Sequence, residues 1–157
     1  MSLYKDLREF IELLNSHGVE YLVVGAHCLA FHGVARTTGD LDFFVRVSPE
    51  NAQRLADVVK DFGFASTGLS SDDFMDADQV IQLGVAPYRI DVLTGIDSVG
   101  FDEAWSSRVQ GQLDGLQVNY LGRDLFIKNK LAVGRSQDIA DAQRLRELKP
   151  DQGDTNR

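Results

Sequence analysis

Apolar residues recur through the first eighteen positions with the period of a helix. Leu3, Leu7, Phe10, Ile11 and Leu14 share one stripe, and Gly18 closes it. A helix of that kind needs a sheet to cover. The run Tyr21 to Val24 is short, apolar and rich in β-branched residues. Gly25 follows as a tight exit into a helical stretch from Ala26 to Phe31, which makes a unit of strand, glycine turn and helix. Leu41 to Val47 reads as the next strand. Ser48 and Pro49 then suit the cap and first position of a helix running to about Phe62.

Two further strands, Val80 to Val85 and Tyr88 to Leu93, surround Ala86 and Pro87 and form an expected hairpin. Beyond Gly95 a helical turn spans Phe101 to Trp105. Two short β-prone runs then flank Asp114-Gly115, a dipeptide that favours a tight hairpin turn. Arg123 to Leu148 is helical and broken near Gly134, with Ser136 placed to cap the second half and Pro150 to stop it. The expected fold is α/β (or α+β), a mixed β-sheet of four to six strands flanked by helices. It forms one domain over residues 1–149, with a core over 1–95 and a hairpin and C-terminal helices over 96–149. The tail, 150–157, has no apolar anchor.

Composition narrows the class. The 157 residues suit one domain, and 43% hydrophobic with 25% charged residues is enough to build a core without disulfides or structural metal. The 16 basic residues are outnumbered by 24 acidic ones, a net charge of -8, so no extended duplex nucleic acid is expected as a partner. Cys28 is the sole cysteine and the opening MSLYKDLREF lacks the apolar run of a signal peptide, which places the expected location in the cytoplasm. Acids and glycines interrupt every apolar run, so no membrane span is expected.

The chemistry concentrates in residues 21 to 45. Side chains two apart on a strand share a face, so Asp40 and Asp42 point one way, roughly 7 Å apart, while Leu41 and Phe43 point the other. In the later run YRIDVL, Asp91 lies between Ile90 and Val92 and projects from the face opposite them. Three acids meeting on one sheet face repel and raise one another's pKa values unless a cation neutralises them. Oxygen-only ligands favour Mg²⁺ or Mn²⁺ over zinc.

These residues resemble the nucleotidyltransferase superfamily with the polymerase-β-type fold. Its pattern is an apolar strand, a Gly followed by Gly or Ser, a short helix, Asp-apolar-Asp on the next strand and a third Asp later. Here these positions are Gly25-Ala26, Asp40-Leu41-Asp42 and Asp91. Ala26 departs from the pattern, although it keeps a small side chain and a free N–H at a helix start. The run Arg36-Thr37-Thr38-Gly39-Asp40-Leu41-Asp42 is similar to that of a small bacterial group that includes AbiEii-like nucleotidyltransferases. So is the late series Lys130, Arg135, Asp138 and Asp141.

The resemblance implies transfer of an NMP from an NTP to a hydroxyl acceptor, with two Mg²⁺ or Mn²⁺ ions held by Asp40, Asp42 and Asp91. Gly25, Ala26, Arg36, Thr38 and Lys130 would then bind the nucleotide, Lys130 meeting charge on the pyrophosphate. The acceptor could be a small molecule, a protein or an RNA end. The competing expectation is a module of the same fold that binds nucleotide or a partner without turnover, such as one half of a toxin–antitoxin pair.

Other signals read more plainly. Cys28 and His32 are four apart on a helix with His27 nearby, but two ligands do not make a zinc site, and a structural role is expected. Asp72, Asp73, Asp76 and Asp78 lack the Gly and terminal Glu of a calcium loop and read as a solvated loop. Arg135, Asp138 and Asp141 form either an ion-pair cluster at a helix start or part of the site. Lys128, two residues from Lys130, faces away from it.

Overall fold

The computed structural model describes residues 4–64, 67–85 and 88–148. The first helix, α1 (Lys5–Ser16), buries Leu7, Phe10, Ile11 and Leu14, four of the five stripe positions; Leu3 lies outside the described residues. Then come β1 (Tyr21–Val24), α2 (Gly25–Phe31), β2 (Leu41–Val45) and α3 (Pro49–Val59). Ser48 caps α3 as expected, its Oγ accepting from the Asn51 amide. The regular helix stops at Val59 rather than near Phe62, because the chain kinks through Lys60–Phe64, where Gly63 takes φ 100°.

The remaining elements are β3 (Val80–Leu83), β4 (Ile90–Leu93), α4 (Phe101–Ser106), β5 (Val109–Leu113), β6 (Leu116–Tyr120), α5 (Arg123–Val133) and α6 (Ser136–Glu147). β3 and β4 pair antiparallel; Ala86 and Pro87 of the expected turn lie outside the described residues. Pro150 and the tail do too. Asp114 and Gly115 both take positive φ, 52° and 79°, the backbone that a two-residue turn between β5 and β6 requires. α5 ends on Gly134 at φ 74°. Ser136 does not cap α6. The left-handed Gly134 turns the chain one residue earlier, so Arg135 takes the extended cap position and its side chain reaches Asp138.

The six strands lie in the order β3-β4-β2-β1-β6-β5. The β1–β6 and β2–β4 pairs are parallel and the rest antiparallel, so the sheet is mixed. Antiparallel register sets Tyr21 opposite Val45 and Val23 opposite Phe43, which puts these four on one face. There Phe43 packs 5.7 Å from Phe10 of α1 and edge-on to Tyr21 at 5.5 Å. The other face carries Asp42 and Phe44; Phe44 is covered by Phe101 of α4, ring centres 5.1 Å apart, and α2 packs on the same strands. Beyond α2, the α5–α6 pair adds an outer layer, tied by Arg123 donating to the Leu145 carbonyl. No helix among the described residues is long and apolar enough to cross a membrane.

Phe43 has no solvent exposure and joins α1 to the central strands. Phe43→Ala should therefore cost about 3–5 kcal/mol of stability, the range for a large aromatic removed from a packed core, read as a lowered midpoint in urea unfolding.

Candidate active site

The parallel ladder between β2 and β4 builds the site. It sets Leu41 beside Ile90 and Asp42 beside Asp91. One step further back, Asp40 comes level with Arg89, whose carbonyl accepts the Leu41 amide at 3.0 Å. Leu41, Phe43, Ile90 and Val92 are buried on one face, so Asp40, Asp42, Arg89 and Asp91 form a square on the other. Three corners are acids and one is a base.

Gly25 closes the square from above. A Cβ on it would stand 2.1 Å from Asp42 Oδ2, and its φ of 70° is one that side chains rarely adopt. Glycine is thus required twice, by backbone angle and by the carboxylate lying against it. Ala26 follows in the first turn of α2, a helix whose start carries no side-chain cap. Thr38 Oγ1 accepts the Asp40 amide at 3.0 Å and so fixes the chain just before the first acid. His27 is 4% exposed. Burial keeps its pKa low despite a bond with the Asp40 backbone, and its Nε2 has no hydrogen-bond partner.

The electrostatics follow from this crowding. Burial, the charge of Asp91, a hydrogen bond shared with Asp91 and the charge of Asp40 together push Asp42 up to about 7, with Arg89 opposing them. Asp91 is 8% exposed, and Arg89 clasps it through Nε to Oδ1 at 2.8 Å and a terminal nitrogen to Oδ2 at 3.1 Å. That same nitrogen is 3.4 Å from Asp40 Oδ2. Among the described residues, no three His, Cys, Asp or Glu side chains converge on one ion-sized point. The donor set still suits a hard divalent cation: all oxygens, an excess of acids over bases, and a carboxyl driven toward protonation by burial and by its acid neighbours. Asp42 and Asp91 are already in contact, whereas Asp40 is drawn to Arg89.

A second charged centre lies between α5, α6 and the loop before Asp40. Lys130 Nζ sits 3.5 Å from Asp138 and 3.4 Å from Asp141. Arg36 donates to Asp141 Oδ1 at 2.6 Å, Gln137 donates to the same oxygen, and Arg135 donates to Asp138 Oδ2 at 2.7 Å. Both acids are buried, 3% and 2% exposed. Arg135, with help from Lys130, holds Asp138 below the usual carboxylate range; burial works to raise Asp141, but Gln137, Arg36 and Lys130 outweigh it. The anion that Lys130 needs in its apolar segment is thus supplied from within the chain. Lys128 is exposed.

The structure therefore gathers Asp40, Asp42, Asp91 and Gly25, with Thr38 behind Asp40, and binds Arg36 and Lys130 into the second centre. Cys28 and His32 both turn to the Leu121 carbonyl, at 3.4 and 2.8 Å. Of the acid run, Asp73 bonds the Ser70 amide, and Asp78 lies against Gly95 at the end of β4 away from Asp91. Arg89 is the member of the square that the sequence reading does not single out. Its signal was the same period of two that marks Asp40 and Asp42: Arg89 and Asp91 must share a strand face.

Two outcomes follow. With metal chelated, a folded-state pKa raised from about 3.8 to about 7 means that folding retains a proton the unfolded chain releases, so Asp42 costs stability as pH rises through that window. Asp42→Asn removes this cost, and its melting temperature should gain on the wild type between pH 4 and pH 8 and exceed it at pH 8. Lys130→Met should lose on the order of 3 kcal/mol in urea unfolding, because two buried carboxylates lose a shared partner, while Lys128→Met should lose almost nothing.

Comparison of the sequence with protein-family profiles and with curated proteins gives no match. Comparison of the fold does. The chain is similar to the crystal structure of a Thermotoga maritima protein assigned, itself by inference, as a nucleotidyltransferase. The TM-score is 0.55 at 16% identity, over 90% of this chain and 88% of that one. At that identity the likeness is one of fold, and it agrees with the mixed six-stranded sheet flanked by helices.

Proposed function

We propose that the chain is a metal-dependent nucleotidyltransferase that moves an NMP from an NTP to a hydroxyl acceptor. The observation that carries this reading is the acid square: three carboxylates on one face of β2 and β4, short of positive charge, against a glycine turn that leaves room for nothing but backbone. The fold it shares with the Thermotoga protein supports it. The Arg36-to-Asp42 run and the series Lys130, Arg135, Asp138, Asp141 support a finer place in the AbiEii-like group.

In this reading Asp40, Asp42 and Asp91 would hold two Mg²⁺ or Mn²⁺ ions with the NTP, and the ions would supply charge neutralisation and Lewis acidity at the phosphates. A hydroxyl oxygen of the acceptor bonds to the α-phosphorus, the bond from that phosphorus to the bridging oxygen breaks, and pyrophosphate leaves. Asp91 takes the hydroxyl proton. Gly25 and Ala26 bring backbone close to the phosphates, Thr38 holds the Asp40 backbone in register, and Arg36 and Lys130 present positive charge from the adjoining centre.

One observation favours a second reading. Arg36 is engaged by Asp141, and Lys130 by Asp138 and Asp141, which suits a module that binds nucleotide or a partner, as in a toxin–antitoxin pair, without turnover. Incubation with each α-labelled NTP, Mg²⁺ or Mn²⁺ and cell extract separates the two. The enzyme should transfer label to an acceptor only with metal, and Asp42→Asn should reduce transfer at least a hundredfold, the scale of losing one charge-stabilising group. An NTP-dependent rise in melting temperature with no transfer to any acceptor would favour the module.

A further inference from the structure

Arg89 does in this chain what a bound cation would otherwise have to do. Its fork meets both oxygens of Asp91 and one terminal nitrogen also reaches Asp40, so one guanidinium neutralises two of the three acids. The contact is built in by the backbone. The Arg89 carbonyl is fixed by the Leu41 amide, and its side chain leaves the residue just before β4 on the face that Asp91 shares two residues on. A guanidinium does not lose its charge in a protein, so this counter-ion leaves only by moving.

We propose that Arg89 is an internal counter-ion that competes with the divalent cation for Asp40 and Asp91, so that cation entry requires the guanidinium to release Asp40 and at least one oxygen of Asp91. The inference rests on the reading of the square as a cation site. It adds that the site's affinity is set by a residue that ligates nothing.

Two effects of removing Arg89 oppose each other. The acids lose a partner that orients them, and the cation loses a repelling charge a few ångströms away. Orientation is the smaller effect, because Asp91 and Asp42 lie on paired central strands whose backbones are held on both sides. The charge effect prevails: a unit charge at that range in a partly buried site lowers the affinity for a divalent ion by at least about tenfold.

The test is Mn²⁺ binding to the full chain without nucleotide, followed at pH 8 by the free-ion paramagnetic signal in wild type, Arg89→Gln, Arg89→Met, Arg89→Lys and Asp42→Asn. Arg89→Gln should bind Mn²⁺ roughly tenfold more tightly than wild type. Its melting temperature should fall below wild type in chelator and rise further than wild type on saturation with Mn²⁺. Asp42→Asn should lose binding. Affinity of Arg89→Gln equal to or weaker than wild type, with Asp42→Asn still abolishing binding, overturns the inference and leaves the cation site standing. No saturable Mn²⁺ binding in either wild type or Arg89→Gln overturns the cation site itself, and the inference with it. If Arg89→Gln does not fold, Arg89→Met decides: it too removes the charge, so it should bind Mn²⁺ roughly tenfold more tightly, and no gain overturns the inference; Arg89→Lys, which keeps the charge, should stay close to wild type, and an equal gain there overturns it as well.

Discussion

The parallel pairing of β2 with β4 is the constraint on which the site depends. It aligns two strands that each carry an apolar, acid, apolar sequence, so the same register that buries Leu41, Phe43, Ile90 and Val92 forces Asp42 against Asp91. The apolar burial prevails over the repulsion because four large side chains, at about 1.5–3 kcal/mol each, outweigh one acid pair that can share a proton. A one-residue slip would relieve the acids only by turning the core side chains to the opposite face. The charge conflict is therefore a fixed cost of the fold, met by protonation of Asp42, by Arg89 or by a cation.

The same principle works differently in the second centre. Asp138 and Asp141 are almost closed to solvent, yet both pKa values are lowered, because Lys130, Arg36, Arg135 and Gln137 surround them. Burial alone does not decide the direction of a carboxyl shift; the ratio of donors to acids does. Two acids with three cations are satisfied, and three acids with one cation are not. The first arrangement stabilises the packing of α5 on α6 and holds the loop that leads to Asp40. The second retains an unmet demand for positive charge.

The periods of two and of 3.6 made most of the fold legible in the sequence. β1, α2 and the turn of β5 into β6 fall where Tyr21–Val24, Gly25 and Asp114-Gly115 place them. The end of α3 was not legible, because Gly63 kinks a stretch whose apolar spacing continues as if helical. The strand order was not either: β6 pairs with β1 across the 97 positions that separate Val23 from Tyr120, and no local pattern encodes a contact of that separation. In the site, each acid could be placed on its face by alternation. What alternation cannot supply is the partner of a long side chain. The resemblance sets Lys130 against a pyrophosphate; in the fold its ammonium meets Asp138 and Asp141, which α6 folds back to bring to it, and no local pattern encodes that tertiary contact.

Arg36 connects the two centres. It lies four residues before Asp40, which limits the separation of their Cα atoms to about 13 Å, and its guanidinium is held by Asp141 of α6. The loop between them is tied a second time where Thr38 accepts the Asp40 amide. Asp40 therefore meets Arg89 from a backbone fixed on one side by β4 and on the other by the outer helices. A cation drawing Asp40 away from Arg89 would act on a carboxylate whose main chain is already anchored, so the exchange needs only side-chain rotation. That is how the satisfied centre bears on the unsatisfied one: Asp141 anchors Arg36, and Thr38 the Asp40 amide, in the same loop that carries Asp40 to Arg89.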